Sequence, residues 1–222
     1  MSNSSLVNYT KISPNKTPRN HKIDTITIHC VVGQLSVETL GVIFSKRSKN
    51  SSCNYGIGSD GRIGMYVEEK DRSWCSSNRA NDHRAITIEC ASDTKHPYAI
   101  NDKVYKSLID LCTDICKRNN IKELKWKADK SLIGQPDKQN MTVHRWFANK
   151  DCPGEYIYSR LGKIAKEVNN NLRPKKKSID TIAREVIGGL WGNGQERKDR
   201  LYKAGYNYST VQRRVNDILK GK

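Results

Sequence analysis

The chain of 222 residues has no apolar run approaching the roughly 20 residues needed to cross a bilayer, which excludes membrane insertion as the expectation. Its first residues, MSNSSLVNYTKISPN, lack the basic-then-apolar pattern of a secretory signal. These absences predict synthesis in a host cytoplasm, with any target beyond the membrane reached after release by another route. A disulfide framework is missing too: the seven cysteines are odd in number, follow no framework spacing and include no CxxC pair of zinc-finger type. The segment over 179–222 has no second copy in the chain. Acidic side chains are in short supply, 23 against 40 basic ones, for a net charge of +17. That deficit favours a polyanionic partner: nucleic acid, an anionic membrane surface, or the anionic polymers of a bacterial wall. Charge alone does not choose among them.

What is present begins with two near-identical pentapeptides, ITIHC at 26–30 and ITIEC at 86–90. Alternation puts Ile26 and Ile28 on one strand face and Thr25, Thr27 and His29 on the other. In the second copy Glu89 takes the place of the histidine. Each strand thus carries an acid/base or metal-ligand side chain on its less apolar face. A histidine in that position is ordinarily a satisfied, partly buried side chain, so the rest of the chain must supply the reason to read more into it.

The chain divides at LRPKKKS, residues 172–178, where proline and three lysines end a helix and form a charged linker. Before it, residues 1–171 alternate strands and helices, predicting an α/β domain with a mixed central sheet flanked by helices. A helix is expected over 36–47. NYGIGSDGRIGMYVE reads as a hairpin turning at Ser59-Asp60-Gly61. A second helix runs from an Asn101 cap to about Asn119, with Val104, Leu108, Leu111, Cys112 and Ile115 on one face, and a last one over 154–171. Cys112 and Cys116, a turn apart, are expected in the core. After the linker, 179–222 predicts a small three-helix bundle, with helices over 179–187, 195–204 and 210–219, the last capped by Ser209. Gly205 is expected to stop the middle helix.

The most informative stretch is HRWFANKDCPG at 144–154, with a second histidine and, eight residues on, a cysteine before Pro-Gly at the mouth of a helix. A helix N-terminus favours a thiolate, and a thiolate binds zinc. His29, His144 and Cys152 would leave a fourth position open, as catalytic zinc requires.

With ITIH, NYGIGSDGRIG, RAITIE and HRWFANKDCPG in this order, the first 170 residues resemble the zinc-dependent N-acetylmuramoyl-L-alanine amidases of the type-2 class, whose fold is that of peptidoglycan recognition proteins. The resemblance implies Zn2+ ligands at His29, His144 and Cys152, a catalytic carboxylate at Glu89 and a basic catalytic residue at Lys150. It also implies a substrate side around Tyr55 and Trp74. Two positions depart from the pattern. Cys53 stands where many members have a tyrosine, and Trp74-Cys75 replaces a Trp-His pair; packed thiols are the expectation for both cysteines. His21, His83 and His96 match no motif and are expected on the surface or in loops. The tail, with its WGNGQERKDRL and AGYNYSTVQ runs, resembles a wall-binding repeat at the ends of some phage lysins. That resemblance implies a muropeptide-binding module in which Trp191, Asn193 and Arg197 meet the ligand, although Trp191 equally fits a role in the small core.

The expectation is thus a phage-type peptidoglycan hydrolase with no nucleic-acid partner, cleaving between N-acetylmuramic acid and L-alanine. Two other readings stay open. One is a recognition protein that binds peptidoglycan without cutting it. The other is a nucleic-acid binder, prompted by the tail, where thirteen basic residues against five acidic ones give +8 over 172–222. No pattern specifies the oligomeric state.

Overall fold

The computed structural model describes residues 2–173 and 176–222. Its chain forms two compact units, divided after Arg173.

In the first unit the strands are β1 (Tyr9–Thr10), β2 (Lys16–Pro18), β3 (Thr25–Cys30), β4 (Tyr55–Ile57), β5 (Ile63–Met65), β6 (Asp71–Ser73), β7 (Ala85–Cys90) and β8 (Met141–Val143). The helices are α1 (Val37–Phe44), α2 (Arg79–Arg84), α3 (Asp102–Arg118), α4 (Gly154–Tyr158) and α5 (Leu161–Leu172). Six strands form a mixed sheet in the order β1-β5-β4-β7-β3-β8, and β2 pairs with β6 in a separate ribbon. The hairpin of β4 and β5 is antiparallel, with Gly56 opposite Gly64, whereas β4, β7, β3 and β8 run parallel.

Packing explains why β3 and β7 carry isoleucine so densely. Ile26, Ile28, Ile86 and Ile88 share one core with Val104, Leu108, Leu111, Cys112 and Ile115 of α3 and Leu161, Ile164 and Val168 of α5. Each such buried aliphatic side chain contributes about 1.5–3 kcal/mol. Cys112 and Cys116 are fully buried there. A smaller cluster, Leu40, Phe44, Cys53 and Tyr66, sits under α1. The polar face of β3 is buried as well, which strand alternation alone does not predict. Thr27 and Thr142 hydroxyls meet at 2.7 Å, Asn81 donates to Thr27 at 3.0 Å, and Thr87 meets Ser73 at 2.7 Å. α2 and β6 supply the groups on this face, Asn81 and Ser73, and the hydroxyls satisfy one another.

The expected helix over 36–47 is shorter, with Ser36 accepting from the Thr39 amide as its N-cap. Where one helix was expected over 154–171 there are two. Ser159 Oγ takes the Glu155 carbonyl at 2.8 Å, and Arg160 takes the Tyr156 carbonyl at 3.0 Å while lying over its ring. The Arg160 amide meanwhile turns to the Ile157 carbonyl at 2.9 Å, so the Tyr156 carbonyl that a continuing helix would use is met by a side chain instead. His83, expected at the surface, is buried, its Nδ1 accepting from the Asn20 amide at 3.2 Å.

The second unit holds α6 (Ile179–Ile187), α7 (Gly194–Lys203) and α8 (Tyr208–Leu219). Ile182, Ala183, Val186, Leu201, Val211 and Val215 make a thin core. Gly205 follows α7 with φ +79, the left-handed stop expected of it. Asn207, not Ser209, caps α8, accepting from the Thr210 amide at 3.0 Å; the helix therefore starts two residues earlier than predicted. Of the linker expected over 172–178, Leu172 ends α5 and Ser178 caps α6, while residues 174 and 175 lie outside the described residues. Among the described residues, no helix is long and apolar enough to cross a membrane.

Candidate metal centre and active site

The repeated pentapeptides turn out to be neighbours. β3 and β7 pair in parallel with Ile26 beside Ile86 and, at their C-terminal ends, His29 beside Glu89. Parallel pairing in equal register puts the two chemically active side chains on the same face, where the strands run out into loops. His29 Nδ1 lies 4.0 Å from Glu89 Oε1.

The chain following β8 brings the third and fourth groups. His144 begins a short helical turn directly after Val143, and its ring stands edge-on to His29 at 5.1 Å between centroids. Cys152 Sγ lies 3.3 Å from His29 Nδ1. Gly154 makes this approach possible. Its φ is +78, and a Cβ there would come within 2.8 Å of the Tyr98 Cβ and 3.0 Å of the Pro97 carbonyl. Glycine alone has both the backbone freedom and the space.

Candidate ligand atoms of His29, His144 and Cys152 all lie within 4.8 Å of one another. Burial, with His144 nearby, pushes the His29 imidazole down to about 3, so it is neutral and its lone pair is free for a cation. His144 is also lowered, first by burial and then by the charge of Lys150. Its Nε2 is engaged by Ser77 Oγ at 3.0 Å, which leaves Nδ1 for a ligand bond. In the metal-free chain Cys152 is raised well above an ordinary thiol by its hydrogen bond with Cys30 and by burial. The short helix α4, five residues long, does not by itself offset that rise, so the expected thiolate at a helix mouth does not follow from the helix alone. Two imidazoles and a thiol with an open side are the donor set of a catalytic zinc.

Glu89 stands beside this triad. Burial raises its carboxyl to about 7, against the opposing hydrogen bond from Cys75. Oε2 has no hydrogen-bond partner. A carboxyl of that pKa accepts and returns protons near neutral pH.

His144, Cys152 and Glu89, with His29 buried behind them, open into a cleft of about 820 Å3 whose lining includes Lys49, Arg72, Trp74, Arg79, Lys150 and Asp151. Lys150 is exposed. Trp74 is half-buried with the Arg72 guanidinium 5.9 Å from its ring. Tyr55 corrects the sequence reading: it is fully buried and donates to Glu69 at 2.7 Å. Its register partner is Ile88, whereas Gly56 partners Glu89, so the pleat directs Tyr55 into the helix-side core and away from the cleft.

Two groups escaped the sequence reading. Ser77 touches His144 from a loop with φ +60, and Asp82 holds that loop by accepting from the Cys75 amide at 3.0 Å and the Ser76 hydroxyl at 2.6 Å. The only trace in the sequence is SSN before a short helix, a pattern too common to single out.

In the tail, Trp191 is half-buried against the small core and its indole donates to Glu185 at 3.0 Å. Arg197 donates to the Gly192 carbonyl and to Asn193 Oδ1, both at 2.9 Å. The cluster expected to meet ligand thus binds itself first. Beside it, Leu190, Trp191, Arg200, Lys203 and Ala204 line a shallow surface hollow.

Residues 180–219 match the CW_7 repeat. A stretch of 53 residues is 57% identical to the lysozyme of Streptococcus phage Cp-7, covering 24% of this chain but only 16% of that protein. Among solved structures, a mutant endolysin from Bacillus subtilis superposes with a TM-score of 0.55 at 15% identity, over 73% of this chain and 99% of its own. The N-acetylmuramoyl-L-alanine amidase LysC from Clostridium intestinale gives 0.52 at 18%, over 73% and 95%. Both likenesses speak to the fold. Residues 19–155, well over half of the sequence, match the N-acetylmuramoyl-L-alanine amidase family, and the chain belongs to that family.

Proposed function

We propose that this protein is a peptidoglycan hydrolase of endolysin type, which splits the amide between N-acetylmuramic acid and the L-alanine of the stem peptide. The observation that carries the reading is the meeting of His29, His144 and Cys152 with Glu89 at the floor of one open cleft. His29, His144 and Cys152 are the proposed holders of a zinc ion. Zinc bound there would supply Lewis acidity toward the amide carbonyl and make water a competent nucleophile near neutral pH.

The chain's own residues do the rest. Glu89 takes a proton from the attacking water as the new C–O bond forms. It returns that proton to the alanine nitrogen as the C–N bond breaks, leaving a free amine. A carboxyl near pH 7 suits both steps. Lys150, exposed on the cleft lining, offers positive charge to the oxyanion in between. Trp74, with Arg72 above it, offers a flat wall for sugar or stem peptide.

The tail is proposed as a wall anchor. Its +8 over 172–222 attracts anionic wall polymers, and the Leu190–Trp191 hollow beside Asn193 and Arg197 supplies a fitted contact to muropeptide. Tethering raises the effective concentration of the cleft at the wall. Made in a host cytoplasm, the protein would act on the wall after release.

The test is turbidity loss of purified walls with and without a chelator, with the new ends identified. Free L-alanine amines that vanish with chelation are expected. New reducing sugars without alanine amines would overturn the amide cleavage, and tight wall binding with no new ends would make the protein a recognition factor.

A further inference from the structure

Cys75 is half-buried against the small cluster under α1 and has no part in the proposed hydrolysis. It belongs to the loop after β6, where a thiol stands in a Trp-Cys pair, and its amide is fixed by Asp82. Its Sγ lies 3.8 Å from Glu89 Oε1. Ligand atoms of His29, Cys75 and Glu89 fall within 4.8 Å of one another, a second ligand set that meets the first at His29. Unlike Cys53, Cys112 and Cys116, which are sealed in the cores, Cys75 lines the cleft together with Glu89 and is reached from solvent. The second carboxylate oxygen, Oε2, has no partner. Thiol, carboxylate and imidazole together suit zinc and the softer cadmium.

We propose that Cys75 and Glu89 form a second, inhibitory cation site, with His29 joining when it is free. The inhibitory part rests on the hydrolysis proposed above; the binding part does not. With a first ion on His29, His144 and Cys152, the His29 lone pair is committed. A second ion then takes Cys75 Sγ and the Glu89 carboxylate, with solvent completing its shell. Binding releases the thiol proton of Cys75 to the buffer, together with any proton on Glu89. A carboxylate whose lone pairs lie on a cation no longer takes a proton from water, so the ion that fills this site stops the chemistry that the first ion permits. Two protein ligands bind more weakly than three, so activation precedes inhibition as the cation concentration rises.

The experiment titrates the full chain, loaded with one zinc, with cadmium. It counts bound metal by equilibrium dialysis, follows the ultraviolet thiolate-to-cadmium band, and assays soluble muropeptide in parallel. The wild-type chain is expected to take a second ion, gain a thiolate band and lose activity about 10²-fold, the scale of a general base, while Cys75→Ala takes no second ion and loses less than about twofold against its own one-zinc rate. A chain with His144→Ala and Cys152→Ser still binds one cadmium through the second set, read by metal count alone. Absence of a second ion in the wild-type chain, or equal uptake by Cys75→Ala, overturns the site. Uptake with unchanged activity overturns its inhibitory role. A chain that is inactive with one zinc refutes the hydrolase reading instead, and the metal count still judges the site.

Discussion

The two units treat their polar groups in opposite ways. Among the described residues, the catalytic unit leaves Asn15 Oδ1, His83 Nε2 and Arg145 Nε buried without partners, and also His29 Nε2, Trp74 Nε1 and Glu89 Oε2 at or beside the cleft. In the tail, by contrast, Trp191, Asn193 and Arg197 are already engaged with Glu185, Gly192 and one another. Leaving a buried polar atom unpaired costs about 1–3 kcal/mol, so such an atom beside a cleft marks a place where a ligand would be met. The contrast teaches where to look for chemistry: at unmet hydrogen-bonding capacity facing a cleft, more than at the residue types that a motif highlights. The tail's polar cluster shapes a loop, and its binding surface lies beside that cluster.

The comparison breaks most visibly at Glu89. Glu89→Gln keeps shape and metal but removes the proton carrier, and is expected to cost about 10²- to 10⁴-fold in turnover of soluble muropeptide. Wild-type turnover, with zinc retained, would return Glu89 to a structural role.

The next effect falls on the tail. Leu201 is the one buried residue of α7, and Leu201→Ala should cost about 2–5 kcal/mol, enough to melt a core of six residues. Circular dichroism of an isolated chain from residue 174 onward should show loss of helix. The full-length variant should keep cleavage of soluble muropeptide while acting poorly on whole walls. Equal activity of variant and parent on walls at every salt concentration would remove the anchor role.

A smaller change is expected at Ser77. Ser77→Ala leaves His144 Nε2 without its hydroxyl partner, and zinc affinity measured against a competing chelator should fall about 10- to 100-fold. Ser77→Thr, which keeps the hydroxyl, should restore most of it. Unchanged affinity in the alanine variant would show that the loop merely passes by.

The smallest effect concerns stability. In the metal-free chain Glu89 holds its proton up to about pH 7, whereas an unfolded glutamate loses it near 4.3. Between these values the folded state binds more protons, so stability falls as pH rises and the full cost is present above pH 7. Metal-free Glu89→Gln should therefore be more stable than its parent by about 1–3 kcal/mol at pH 8, with the gain vanishing near pH 4. Urea titration at the two pH values measures it; an equal difference at both would mean that burial of the charge is not the cause.

How much was legible in the sequence varies by element. The ITIHC and ITIEC strands, the hairpin turn and the long α3 follow from local patterns of two and 3.6 residues, and all appear where expected. The strands β1, β2, β6 and β8, of two or three residues, and the six-residue α2, under two turns long, went unseen, since each is too short to repeat its own period. For the candidate site, the kinds of residue were readable and their company was not. Nothing local says that two copies of one pentapeptide lie side by side, yet that pairing sets His29 beside Glu89. Tyr55 shows the converse. Its place in a motif suggested contact with substrate, but facing is decided by register, which sets Tyr55 beside Ile88 and only Gly56 beside Glu89.

By itself the sequence determined the strongly basic charge, the alternation that makes β3 and β7 strands, the cap at Asn101, and a set of zinc-type donors ending at Cys-Pro-Gly. These are properties of residue type and near neighbours. Tertiary structure alone decided which donors converge, that Ser77 meets His144 from a loop held by Asp82, that Cys75 reaches Glu89, and that burial brings Glu89 to about 7. The reason is physical: desolvation and proximity depend on what packs around a side chain, and that is fixed only when segments distant in sequence, such as 29, 89 and 152, come together.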